Sequence, residues 1–229
     1  MRDENIPDVR TSYDRVADEY VTRIAGELAH KPLDRRLLEA FAGRVRAVGP
    51  VYDLGCGPGH VALYLRDRGV DVAGIDLSSA MVEAARRRNP GIEFTQGDMR
   101  SLPLGDESLA GVVAFYSLIH VPKPEVGTAL AEMSRVLRPG GLACLAFHVG
   151  DSTVHLDEWW GRPVSLDFVF FRTDEMTGLL TEAGFRVLES VEREPYPDVE
   201  YPSRRAYLLA EKPQGSGALC GAIRTRPLA

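Results

Sequence analysis

The stretch Val51-Tyr52-Asp53-Leu54-Gly55-Cys56-Gly57-Pro58-Gly59-His60 constrains the fold more than any other part of this 229-residue chain. It reads as a short buried strand with an acid near its end, glycines on alternate positions, and then a helix. Glycine has no Cβ and adopts positive φ at little cost, so backbone at such positions can approach a ligand closely. A helix N-terminus directly after the turn presents unpaired N–H groups and a partial positive charge. Such a turn suits a nucleotide-like cofactor, although a tight strand-to-helix turn with no ligand has the same local pattern.

Strand and helix patterns alternate on either side of it. Helical spacing runs over Val9–Leu28 and from Pro32 to about Ala47, with Pro32 in a first turn. Strand Val51–Leu54 precedes helix Val61–Arg68. Strand Asp71–Leu77 precedes helix Ser79–Arg88, with Ser78 as N-cap. Ile92–Gln96 and Leu109–Tyr116 read as strands, and Pro124–Leu137 as a helix. Arg138-Pro139-Gly140-Gly141 reads as a stop before strand Leu142–Val149. Apolar strands separated by amphipathic helices imply an α/β fold with a mostly parallel sheet covered on both faces. The pattern breaks from Gly150 to Phe171, resumes with helix Thr173–Ala183, and ends in two strands, Phe185–Glu194 and Arg204–Glu211, close enough to pair antiparallel. The expected division is an N-terminal helical cap (1–48), a cofactor-binding domain (49–212) with a substrate-covering insertion (150–172), and a mobile tail (213–229).

Composition narrows the partners. A formal charge of −6 argues against a general nucleic-acid binder. The run Arg86-Arg87-Arg88 closes a helix, where it complements the dipole. Three cysteines without paired spacing (Cys56, Cys144, Cys220) suggest a reducing compartment. No apolar run is long enough for a membrane span, and the polar N-terminus is unlike a signal peptide. The expectation is a soluble cytoplasmic protein.

Three acids recur at the ends of successive strands: Asp53, Asp76 and, just beyond the third, Asp98. Asp76 follows the first glycine by about 20 residues, where a carboxylate can accept from ribose hydroxyls. Ligands of open parallel sheets bind at the carboxyl ends of the strands, so all three acids converge on one crevice.

With VYDLGCGPGHVALYL, VAGIDLSSAMVEAARRR, FTQGDMRSLP, SLAGVVAFYSLIHVP and EMSRVLRPGGLACLAFH in that order, the chain resembles a class I S-adenosylmethionine-dependent methyltransferase of the broad small-molecule group. The resemblance implies a Rossmann-like, doubly wound seven-stranded sheet with an antiparallel last strand. It implies that Gly55, Gly57 and Gly59 line the methionine part of the cofactor and that Asp53 is a further cofactor-binding residue. Asp76 would hold the ribose, with Leu77 and Met81 beside the adenine and Asp98 and Met99 at its edge. Tyr116 would lie near the sulfonium, with Tyr13 and Tyr20 closing over the site from the first helix.

His120 and His148 fall at strand ends on the crevice side and are candidate bases, since imidazole titrates near neutrality. His60 reads as a polar contact of the turn. His155, Trp159 and Trp160 are candidate substrate contacts in the insertion, with Phe168, Phe170 and Phe171 as further lid or satellite-core residues. His155 with Asp157 and Glu158 lacks the spacing of a metal site, so no metal is expected. A nicotinamide dinucleotide is the rival cofactor, but His60 stands where its fingerprint has a third glycine. A non-methylating member of the same fold is the other rival. Ala114-Phe115-Tyr116-Ser117 differs from the Asn/Asp-Pro-Pro-aromatic element of nucleic-acid amine methyltransferases, and there is no Pro-Cys nucleophile. Both favour a small-molecule acceptor. The acceptor atom and oligomeric state stay open.

Overall fold

The computed structural model describes residues 9–214. The tail expected from 213 onward lies almost entirely outside the described residues, as do the polar N-terminus and Cys220. Seven strands form one sheet: β1 (Val51–Leu54), β2 (Val72–Asp76), β3 (Phe94–Gln96), β4 (Leu109–Phe115), β5 (Leu137–His148), β8 (Arg186–Arg193) and β9 (Arg205–Glu211), in the order β3-β2-β1-β4-β5-β9-β8. Between β5 and β8 the chain makes a separate hairpin, β6 (Thr153–Trp159) and β7 (Arg162–Val169).

β1 pairs in parallel with both β2 and β4, Val51 lying opposite Val72 and Gly111. Strand order therefore reverses between β1 and β4, and the carboxyl ends of these two strands open a crevice. β4 is buried from Leu109 to Ala114. Its Val112 and Ala114 join a core with α5 (Lys123–Val136) and α6 (Thr173–Glu182). Its Ala110 and Val113 join the opposite core, with α2 (Pro32–Val45), α3 (His60–Arg66) and α4 (Ser79–Arg88). The two-residue period of a strand separates Val112 and Ala114 from Val113, and the register shift between Leu109 and Gly111 breaks that period at Ala110. β9 runs antiparallel between β5 and β8, Leu145 opposite Leu208.

The expected stop at Pro139-Gly141 is instead a bulge inside β5. Leu137 already pairs with Leu109, and the register shifts before Gly111 meets Leu142. Gly140 (φ 79°) donates to Lys212 O at 2.7 Å, and Lys212 N donates back to Gly141 O at 2.9 Å, so β9 carries pairing through the glycines.

The segment read as a broken pattern is the β6–β7 hairpin, turned by Trp160 (φ 52°) and Gly161 (φ 73°). Consecutive positive φ values suit the right-handed twist of a two-residue hairpin turn. One face packs Val164 and Leu166 against Val16 of α1 (Val9–Ile24), with Tyr13, Trp159 and Phe168 around them. Each of these buried aliphatic side chains contributes about 2 kcal/mol of transfer free energy. Ser165 N donates to Ser12 Oγ at 3.0 Å and stitches the hairpin to α1. Asp14 fastens the same helix to α4, accepting from Ser78 Oγ at 2.5 Å and Ala80 N at 3.0 Å. Ser78 is also the α4 N-cap, its Oγ accepting from Met81 N at 3.1 Å.

Candidate active site

A cavity of about 760 Å³ lies over the strand ends, from Gly55 and Gly57 of the turn to Trp159 and Phe168 of the hairpin. The three glycines of the turn have different reasons to be glycine. All have left-handed φ: 71° at Gly55, 52° at Gly57 and 76° at Gly59. A Cβ on Gly55 would stand 2.3 Å from Ser117 Cβ, and one on Gly59 would stand 2.6 Å from Phe94 Cζ. A Cβ on Gly57 would meet nothing nearer than Tyr20 Cε1, at 3.7 Å. Gly55 and Gly57 line the cavity. Gly59 does not: it begins α3 against Phe94 and Asn89, which corrects the expectation that every glycine of the turn faces the cofactor.

Asp53 is 2% exposed, and its Oδ2 has no hydrogen-bond partner among the described residues. Burial pushes its carboxyl up to about 7, against the pull of His60 and the Ala62 backbone. Asp76 Oδ2 accepts from Gly57 N at 2.7 Å and its Oδ1 from Ser78 N at 2.8 Å. Burial outweighs those bonds and raises it to about 6. Leu77, Met81, Asp98 and Met99 also line the cavity. Burial opposes ionisation of Asp98, but Arg100 overcomes it and holds the carboxyl below its ordinary value. Arg100 Nε reaches both oxygens at 3.0 Å.

Tyr13 and His120 meet on the opposite wall, 2.7 Å apart from Oη to Nε2. His120 closes a short 3-10 turn (Leu118–His120) after β4, and its Nδ1 lies 3.0 Å from Asp167 O. A carbonyl only accepts, so Nδ1 carries the proton and Nε2 accepts from the tyrosine. Burial pushes the imidazole down to about 4, so it is neutral across the physiological range. Tyr20 meets Tyr13 edge-on at 5.7 Å and Trp159 at 5.8 Å. Trp160 stacks behind Trp159 at 4.3 Å, outside the cavity lining, with Arg23 over it. His155 also departs from its expected place. It is exposed on the outer face of the hairpin, bonded to Asp167 Oδ1 at 2.7 Å and Asp157 Oδ1 at 3.1 Å. Strand alternation turns it away from the cavity, and no group of described residues is placed to hold a metal ion.

Apart from Tyr116, the charged side of the cavity was not legible from motifs. Tyr116 follows β4 at φ 55°, its hydroxyl 2.8 Å from Tyr207 Oη and 3.3 Å from Asp34 Oδ1. Behind it Arg193 donates to Asp34 Oδ2 at 2.9 Å and to both oxygens of Glu200 at 2.5 and 2.9 Å. Lys31, Glu27, Glu200 and Arg205 from this network line the cavity. The one available signal was Asp34, a carboxylate beside Leu33 in the apolar pattern of α2. His148 stacks on Phe170 at 5.1 Å, and its Nδ1 lies 2.7 Å from Ser203 Oγ. Burial pushes it down to about 3, helped by the charges of Arg205 and Lys31.

A seven-stranded sheet with a glycine turn and an acid-lined crevice at its switch point defines a nucleotide-cofactor α/β protein. Residues 51–141 match the family model described as "Methyltransferase domain". The malonyl-acyl-carrier-protein O-methyltransferase of Enterobacter lignolyticus is 32% identical over 133 residues, 57% of this chain and 52% of that protein. The demethylmenaquinone methyltransferase of Beutenbergia cavernae is 37% identical over 146 residues, 63% of this chain and 59% of that protein. The chain thus spans little more than half the length of these relatives. Among solved structures, the 4+2 cyclase SpnF shares the fold with a TM-score of 0.68 at 21% identity, covering 90% of this chain and 96% of that one. Over residues 51–141 the chain is thus similar to methyltransferase domains, and over most of its length it shares the fold of the solved structures.

Proposed function

We propose that this protein transfers a methyl group from S-adenosylmethionine to an oxygen, nitrogen or carbon of a small molecule with aromatic or apolar parts. One observation carries the reading: a cavity of about 760 Å³ runs from the glycine turn to the Tyr13–His120 pair. That is the size of a small-molecule site, roughly 300–1,000 Å³. The residues present fit the family's cofactor. The unpartnered Asp53 Oδ2 suits an ammonium group. Gly57 leaves room for close backbone approach, and Asp76 keeps lone pairs for ribose hydroxyls. Leu77 and Met81 supply an apolar bed for a purine, with Asp98 and Met99 at its edge.

When bound, the cofactor supplies an electrophilic methyl group on a sulfonium. The leaving sulfur needs no acid, so the protein's work is alignment at roughly 3–3.5 Å and exclusion of water. α1 and the hairpin close the site with Tyr13, Tyr20 and Trp159. A proton leaving the acceptor passes to Tyr13 Oη while the tyrosine's own proton moves to His120 Nε2. Asp167 O then holds the imidazolium through Nδ1–H. Acceptor acidity rises steeply as the new bond forms, so a weak base suffices.

The free, buried Cys56 and Cys144 support a reducing compartment such as the cytoplasm, and no described helix is long and apolar enough to cross a membrane. The division into a helical cap (1–48), a methyltransferase domain (49–212) and a covering insertion (150–172) belongs to the same reading. A 4+2 cyclase shares this fold, so cofactor binding alone does not decide. The deciding assay is movement of labelled methyl from S-adenosylmethionine into a small molecule, and label confined to the cofactor would refute the reading.

A further inference from the structure

We infer that the acceptor is an organic acid whose carboxylate seats on Arg205 at the far end of the cavity. This rests on the methyltransferase reading. Arg205 opens β9, directly opposite His148 of β5. It lines the cavity yet is only 3% exposed. Among the described residues its side-chain hydrogen bonds all run from one nitrogen to neutral oxygens: Nη1 donates to Tyr201 O at 2.9 Å, to Ser203 Oγ at 3.2 Å and to Ser203 O. Nε lies 3.1 Å from Glu200 Oε1 but out of line for a bond, and it has no hydrogen-bond partner among the described residues.

The neighbouring cations are better supplied. Arg193 holds Asp34 and both oxygens of Glu200, and Lys31 holds Glu27 at 2.8 Å. Among the described residues, Arg205 is thus the cation of this network with no hydrogen-bonded carboxylate. Glu200 offsets its charge without bonding its Nε–H, and the planar fork of a guanidinium matches a carboxylate. The local field agrees, because the largest charge effects on His148 come from Arg205 and Lys31 and exceed that of Glu200. Tyr201, edge-on to His148 at 6.3 Å, adds aromatic wall on the same side.

A carboxylate could come from the acceptor or from the methionine part of the cofactor. Strand positions favour the acceptor. β9 lies three strands from β1, where the glycine turn begins, and three spacings of about 4.8 Å put its backbone about 14 Å away. Lys31 with Glu27 and His60 stands nearer that turn, since His60 is the first residue of α3 and lies 3.3 Å from Glu27.

The test is calorimetric titration of the whole protein saturated with S-adenosylhomocysteine, using benzoate and its neutral isostere benzamide as probes. Benzoate should bind at least about tenfold tighter than benzamide, the scale of a charge-assisted bidentate pair. In Arg205→Gln that preference should vanish, while S-adenosylhomocysteine affinity stays within about twofold. Equal binding of the two probes, no benzoate binding, or a preference that survives in Arg205→Gln overturns the inference. So does a parallel loss of S-adenosylhomocysteine affinity, which would assign the anion to the cofactor. The wild-type probe pair decides if Arg205→Gln does not fold. Failure of S-adenosylhomocysteine to bind at all overturns the methyltransferase reading as well, whereas its binding without a benzoate preference overturns the acid alone.

Discussion

Tyr13 Oη donates to His120 Nε2 at 2.7 Å across 107 positions of sequence. The bond joins the helix that closes the cavity to the turn that follows β4. The pair proposed above to accept the proton is therefore complete only when α1 is docked.

That coupling predicts non-additive kinetics. Tyr13→Phe keeps the ring packed and removes the hydroxyl, and methyl transfer should fall roughly 10²-fold, a common scale for loss of a positioned acid–base group. His120→Asn should fall by a similar factor, and the double variant little further, because the two act as one unit. S-adenosylhomocysteine affinity, measured by calorimetry, should stay within about threefold of wild type. Multiplying losses in the double variant would break the pair into independent groups.

The glycine turn predicts three separable phenotypes. Gly59→Ala drives a Cβ to 2.6 Å from Phe94 Cζ, and Gly55→Ala drives one to 2.3 Å from Ser117 Cβ. Both should cost more than about 3 kcal/mol in urea denaturation, combining overpacking with left-handed strain. Gly57→Ala has room and should cost only about 1–2 kcal/mol of strain. It should nevertheless weaken S-adenosylhomocysteine binding, because its methyl enters the cavity beside Tyr20. A Gly57→Ala protein with native affinity would remove that residue from the cofactor site.

Asp53 predicts a trade between stability and binding. Its folded value of about 7 lies above the ordinary 3.8. The folded state holds the proton more tightly, so this group's contribution to stability falls as pH rises from about 4 to 7. At pH 8 Asp53→Asn should stabilise the ligand-free protein by about 1–3 kcal/mol, a gain that fades below about pH 4. The same substitution should weaken S-adenosylhomocysteine at least about tenfold. Lower stability at pH 8 together with native affinity would contradict the account.

His120 and His148 act with the opposite sign. Burial lowers them to about 4 and about 3. Their contribution is present above pH 6.5 and is lost as pH falls, whereas Asp53 and Asp76 gain over much of the same range. Wild type should change little in stability between pH 6.5 and 4.5, and Asp53→Asn should unmask a steeper acid loss. Parallel denaturation profiles for the two proteins would show that the groups do not balance.

Arg193 holds two buried carboxylates, those of Asp34 and Glu200. Arg193→Met should cost about 3–5 kcal/mol, because it leaves Asp34 with no cation among the described residues and removes two bonds from Glu200. A cost near zero by thermal or urea melting would mean that water reaches the pair.

The strands β1 to β5 were legible because each is an apolar run bounded by turn residues, and the acids at their ends follow from strand direction. The hairpin was not, because its buried residues alternate with His155, Asp157 and Asp167 and mimic a polar loop. The charged end of the cavity was hidden for a different reason. Asp34 and Arg193 are 159 positions apart, and Glu200 and Arg205 lie in a turn with no local periodicity, so only the tertiary fold brings them together. Gly59 was read as a ligand contact because sequence alone does not separate a glycine required by Phe94 packing from one required by a cofactor.

The central claim is methyl transfer, and S-adenosylmethionine labelled in its methyl group tests it most directly when incubated with the protein and broad metabolite extracts. The predicted result is label in a small molecule, S-adenosylhomocysteine formed in equal amount, and both reduced together by Tyr13→Phe. Tight cofactor binding with label that never leaves S-adenosylmethionine would contradict it.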